Sequence, residues 1–133
     1  MSASDFTKVE QASPKWIQIA CRLRFHADAG FASELESALS LALSKRPDLV
    51  LTELNEQYVE GVCSAPFLID YPDLEAGLKI LEQTKSGLLK LKSDNLAKKK
   101  QMCLTQVDEL INKIQDERFD NKQSQLPSEK MRR

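Results

Sequence analysis

The chain has 133 residues and a formal net charge of −1; 41% are hydrophobic, 29% are charged, and there are only four glycines and five prolines. That length suits one domain with its own core, and the shortage of glycine and proline disfavours a fold of many short strands and tight turns. No run of about 18 apolar residues occurs, so no membrane-spanning helix is expected, and the start of the chain has no basic-then-apolar leader pattern.

From Met1 to Ala12 the sequence is polar and is expected to be a flexible segment. Ser13-Pro14 then marks a helix start, because serine can cap and proline suits the first helical position. Between Lys15 and His26 two patterns compete. Ile17, Ile19, Cys21, Leu23 and Phe25 alternate with polar residues, as in a strand. Wound at about 100° per residue, Lys15, Gln18, Arg22 and His26 gather on one side, as in a helix. The capping serine and Gly30 as a stop favour a helix over 14–28.

Ser33 and Glu36 form an S-x-x-E capping box, predicting a helix over 33–46 with Leu35, Ala38, Leu39 and Ala42 inward. It must stop before Pro47, since the residue preceding proline avoids helical angles. Over 48–62, Leu51, Leu54, Tyr58 and Val62 recur at +3, +4 and +4 opposite Glu53, Glu56 and Glu60, an amphipathic helix. Ser64-Ala65-Pro66 ends it, and Phe67-Leu68-Ile69 reads as a short apolar link onto the core.

Pro72 opens the longest helical stretch, 72 to about 118. As one rod it would be roughly 70 Å long at about 1.5 Å per residue, against a radius of gyration of about 14 Å for a globule this size. Leu74, Leu78, Leu81, Leu88 and Leu89 form its first apolar side. Ser93-Asp94-Asn95, all weak helix formers that cap well, predict a turn or kink between helices over 72–92 and 95–118. Residues 120–133, with Pro127, read as a disordered polar tail. The expected fold is all-α: a small helical bundle or short helical array of about five helices over 13–119, with a long or kinked C-terminal segment.

Signals for chemistry are sparse. His26 is the one histidine, and no G-x-S-x-G turn accompanies it. The glycines are isolated, which excludes a phosphate-cradling loop. No zinc or calcium motif occurs. Two carboxylate groups, Glu53/Glu56/Glu60 and Asp70/Asp73/Glu75, lack the Glu-x-x-His partner of metal-binding bundles and read as solvated faces. No catalytic residue, metal or cofactor is expected, and the chain is read as a non-enzyme.

Cys21, Cys63 and Cys103 are far apart and odd in number, with no C-x-x-C pair. They read as packed, unpaired side chains in a reducing compartment. An intracellular address, cytoplasmic or nuclear, is therefore expected.

Two surfaces remain as functional candidates. The first is the stripe Leu104, Val107, Leu110, Ile111 and Ile114. Packed on its own domain it is core; otherwise it is a coiled-coil or helix-in-groove surface. The second follows from charge. Residues 1–78 carry 6 Lys and Arg against 12 Asp and Glu, whereas residues 79–133 carry 13 against 8, so the front stands at −6 and the rear at +5. Within the rear lies a lysine-rich strip over 79–100, including Lys90, Lys92, Lys98, Lys99 and Lys100. It could hold phosphates electrostatically, but it lacks the arginines and aromatics that read and stack bases. The leading expectation is a protein–protein interaction module (an adaptor, chaperone or complex subunit) acting through the C-terminal helix on a protein partner or a second copy. The alternative is a non-specific binder of nucleic acid or an acidic surface through the lysine strip.

Overall fold

A computed structural model describes residues 1–64 and 74–124. Among them are seven α-helices and no strand: α1 (Ala3–Glu10), α2 (Pro14–Arg24), α3 (Ala29–Lys45), α4 (Pro47–Glu53), α5 (Val59–Cys63), α6 (Leu74–Leu89) and α7 (Ala97–Ser124). Short 3-10 turns, Glu56–Tyr58 and Asp94–Leu96, precede α5 and α7. The all-α array expected from the apolar spacing is what forms. The link Phe67-Leu68-Ile69 and the acids Asp70 and Asp73 lie outside the described residues.

The N-terminus departs from expectation. Ala3–Glu10 is helical, not loose, because Ser2 and Asp5 form a reciprocal capping box: the Ser2 hydroxyl accepts from the Asp5 amide, and the Asp5 carboxylate accepts from the Ser2 amide. That satisfies two amide donors a helix start leaves open. Val9 is then fully buried, and Phe6 meets Phe31 edge-on at 6.2 Å. The chain leaves α1 through Ala12, whose φ of 65° lies in the left-handed region. The Ser13 amide donates back to Lys8 and the Ala12 amide to Val9, the doubly bonded helix end that such a residue permits.

Residues 14–24 resolve as helix, shorter than the expected 14–28. The next helix starts earlier than predicted. Asp28, not Ser33, is its cap, accepting from the Phe31 amide at 2.9 Å, so Gly30 sits in the first turn of α3 and does not act as a stop. Glu36, freed from a capping role, bonds Arg24 at 2.8 Å. α3 is the central element and packs against α1, α2, α4, α5 and α6. Its inward alanines, Ala38 and Ala42, are small enough for close approach, while Leu35, Leu39 and Leu43 fill the space between neighbours.

The single helix expected over 48–62 is broken. Leu54 is extended, with ψ 129°, and the Asn55 side chain accepts from the Gln57 amide, restarting the coil as a 3-10 turn. Asn is a capping residue in a position where an uninterrupted helix gains nothing from it. Leu51, Leu54 and Val62 still point inward, so the apolar rhythm survives while the axis bends. Ser40, buried on α3, donates its hydroxyl to the Val62 carbonyl and ties α5 down.

The long stretch folds back at the predicted place. α6 ends at Leu89, the Leu91 amide closes a turn onto Leu88, and the chain is helical again from Asp94. α6 packs on α3 and α7, and α7 packs on α5. α7 continues to Ser124, so residues 120–124, expected to belong to a polar tail, are helical; residues 125–133 are outside the described part.

The cysteine reading is corrected. Cys63 and Cys103 form a disulfide, with Cα atoms 5.3 Å apart; Cys21 is free and buried. The pair stand at a sequence separation of 40, and no spacing motif marks a bond made only because the hairpin returns α7 to α5. The inference of a reducing, intracellular setting rested on unpaired thiols and loses that support. Among the described residues, no helix is long and apolar enough to cross a membrane.

Candidate functional site

The expected docking stripe on α7 is mostly interior. Val107 and Ile114 are 0% exposed and Leu110 8%; Leu104 and Ile111 are half-buried and packed against the same core. With Leu78, Leu81 and Leu88 from α6, these side chains hold the hairpin together. What α7 offers outward is the flank of the stripe, at Ile111.

That flank borders a groove of about 660 Å³ between α6 and α7, lined among others by Glu82, Lys85, Ser86, Leu89, Lys90, Asp108 and Ile111. Leu89 is 57% exposed at its edge, although the sequence pattern placed it with Leu88 on the inward side. Adjacent residues of a helix point about 100° apart, and only Leu88 goes in. The Lys85 ammonium meets the Asp108 carboxylate at 2.7 Å and bridges the two helices. Both ends of that pair are over 40% exposed, so it orients the groove more than it stabilises the fold.

The lysine strip is dispersed by the fold. Lys98 pairs with Glu56 at 2.9 Å. Lys99 donates to the carbonyls of Leu51 and Leu54, and Lys100 donates to the carbonyl of Leu91 at 2.8 Å. Lys90 and Lys92 are exposed, Lys90 in the groove wall. Three of the five candidates are thus engaged in holding helix ends or neighbouring side chains, which reduces the charge free to meet phosphates.

Glu53, Glu56 and Glu60 do not form a metal-holding cluster. Glu53 lies at the end of α4, Glu56 in the 3-10 turn and Glu60 in α5, all exposed. Among the described residues, no group of three or more His, Cys, Asp or Glu is placed to hold a metal ion. No protein-family model, curated protein or solved structure matches this chain. Any reading of its function therefore stands on its own geometry.

A second exposed feature was not anticipated. Phe25, 52% exposed, caps the ring of Tyr58 edge-on at 5.4 Å. Arg24 lies 4.2 Å over the Tyr58 ring while bonded to Glu36. His26 is exposed beside Phe25. This cluster locks the end of α2 to the turn before α5, so its chemistry is accounted for by packing. Cys21 is the remaining nucleophile, and burial pushes its thiol up to about 12, with Glu53 adding to the effect. A thiol so held is inert at neutral pH.

Proposed function

We propose that this chain is a non-enzymatic protein–protein interaction module whose docking face is the α6–α7 groove, and that the partner best fitted to it is a second copy presenting its own α6. The observation that carries the reading is Leu89: a large aliphatic side chain left mostly in water beside half-buried Ile111, in a helix whose other large apolar residues are turned inward. Full burial of such a side chain contributes about 1.5–3 kcal/mol, so a partner that covers it gains directly.

Charge selects the partner. Glu82 and Ser86 stand at i and i+4 on one exposed stripe of α6, and Lys90, at i+8, follows in the turn that closes the helix. When two such helices cross antiparallel about Ser86, Glu82 of each opposes Lys90 of the other, and the small serine at the centre lets the backbones approach. The arrangement is self-complementary, as a two-fold interface requires. The lysine-strip alternative has weaker support, since Lys98, Lys99 and Lys100 are already engaged.

A photo-crosslinking amino acid placed at position 89 in the native host tests the reading. An adduct of twice the chain's mass is expected. An adduct with a different protein keeps the docking face and rejects the second copy. Absence of any adduct, with the variant folded, rejects the docking face itself.

A further inference from the structure

The disulfide carries an inference independent of the groove. Cys63 is the last residue of α5, and Cys103 lies in the second turn of α7. α5 has only five residues, too few to hold a helix by its own hydrogen bonds. It is held by burial of Val59 and Val62, by the Ser40 hydroxyl, and by the covalent bond to α7. Cys63 is 1% exposed and Cys103 0%. Neither sulfur can meet an external reagent once the core has closed, so the bond must form while the hairpin is still docking.

We infer that this chain acquires its Cys63–Cys103 bond during folding, by exchange with a disulfide-bearing oxidant, and so matures in an oxidising compartment. The exchange balances as follows. The thiolate of one cysteine attacks a sulfur of the oxidant's disulfide, giving a mixed disulfide and releasing one oxidant thiolate. The second cysteine's thiolate attacks the protein sulfur of that mixed disulfide, forming the Cys63–Cys103 bond and expelling the other oxidant thiolate. The protein loses two electrons and two protons, and the oxidant disulfide becomes two thiols. In the cytosol the thiol pool runs this exchange backwards while the hairpin is still open, so a bond that closes during docking belongs to oxidising surroundings. Cys21, on α2, is left free in the folded chain.

The bond closes a loop across a sequence separation of 40 residues. It limits the freedom of the unfolded chain between α5 and α7, including all of α6. A loop of that size is expected to shift the unfolding equilibrium by about 30- to 1,000-fold.

The test uses the wild-type protein in its native host. Cells are treated with a membrane-permeant alkylating agent before lysis, the protein is denatured in the same agent, and its intact mass is measured. One adduct, on Cys21, is expected, with two more only after reduction, and a Cys63–Cys103 linked peptide on digestion. Three adducts without reductant would overturn the inference, even if the bond later forms in air. A second arm compares urea unfolding of oxidised wild type, Cys21→Ala and the Cys63→Ala/Cys103→Ala pair. Cys21→Ala should keep the linked peptide, and the double variant should show the stated shift. A double variant that unfolds at the wild-type midpoint would refute the fastening role.

Discussion

The ammonium of Lys99 lies 2.7 Å from the carbonyl oxygen of Leu54 and 2.8 Å from that of Leu51. One side chain from the start of α7 therefore closes the C-terminal end of α4, 45 and 48 residues away in sequence. Helix ends leave carbonyls unpaired, and a cation is favoured there by both hydrogen bonding and the helix dipole.

Replacing Lys99 by methionine keeps the aliphatic stem and removes the donor. Hydrogen bonds to charged groups contribute roughly 1.5–3 kcal/mol, and here the group is half-buried. Lys99→Met should destabilise the fold by about 1–3 kcal/mol in urea unfolding, whereas Lys92→Gln, on an exposed side chain, should stay within about 0.5 kcal/mol. Equal effects would return Lys99 to the solvated strip.

The sequence made the helical class legible because Leu, Ala and Val recur at helical spacing through 35–43 and 104–114, and periodicity is insensitive to small boundary errors. The turn at Ser93 to Asn95 was legible because its capping residues coincide with a loss of apolar side chains. Asn55 is the same kind of residue, but it sat inside an unbroken apolar rhythm, and the rhythm masked the break. The Ser2/Asp5 box escaped notice because aspartate stands where glutamate or glutamine is usual. The groove was not legible at all: which of Leu88 and Leu89 faces in depends on where α3 packs, and the Cys63–Cys103 bond depends on the hairpin closing.

Two glycines should respond oppositely to alanine. A Cβ on Gly87 would lie 3.0 Å from the Cγ of Pro47, whereas one on Gly30 meets only the Asp28 carboxylate, at 3.9 Å. Alanine normally gains about 0.5–1 kcal/mol over glycine within a helix. Gly30→Ala should raise stability by about that amount. At Gly87 the proline ring is buried where α4 meets α6, so Gly87→Ala should lower stability despite its better propensity. A thermal melt of each variant decides this.

The N-terminal helix should loosen in acid. The Ser2 amide donates to the Asp5 carboxylate at 3.1 Å, and that backbone hydrogen bond, with help from the Ser2 hydroxyl and Lys8, holds the Asp5 carboxyl below its ordinary value of 3.8. A folded value below the unfolded one means the contribution is complete above about pH 4 and disappears as pH falls through the folded value. The Ser2 amide resonance should therefore titrate with a midpoint below 3.8, and Asp5→Asn should remove that titration. A midpoint at or above 3.8 would show that the box is not held in solution.

Val107 and Ile111 share the α7 stripe but not its burial. Val107 is 0% exposed, and placing a carboxylate there leaves a charge without a partner, which costs about 3–5 kcal/mol or more. Val107→Asp should unfold the domain. Ile111 borders the groove, so Ile111→Asp should retain helical circular dichroism while weakening whatever docks there. If both variants unfold alike, the groove wall is core throughout.

The paired contact proposed for α6 makes a demand that a non-specific apolar association does not. In the antiparallel arrangement each Glu82 faces a Lys90 of the other copy, and the two pairs are related by the two-fold axis through Ser86. Glu82→Lys places like charges opposite each other at both ends of the contact, and Lys90→Glu does the same with the opposite sign. Like charges in register disfavour association, so each single variant should weaken self-association in sedimentation equilibrium, by roughly tenfold if each end contributes about 0.7 kcal/mol. The double variant Glu82→Lys/Lys90→Glu restores both pairs with their signs exchanged and should recover the wild-type association. Mixing the two single variants should restore association as well, now between unlike copies. The copy carrying Glu82→Lys presents a positive charge at each end of its stripe, the copy carrying Lys90→Glu presents a negative charge at each end, and opposite signs then meet at both. A mixture that associates no better than either variant alone would leave Leu89 without the charged frame that selects a second copy.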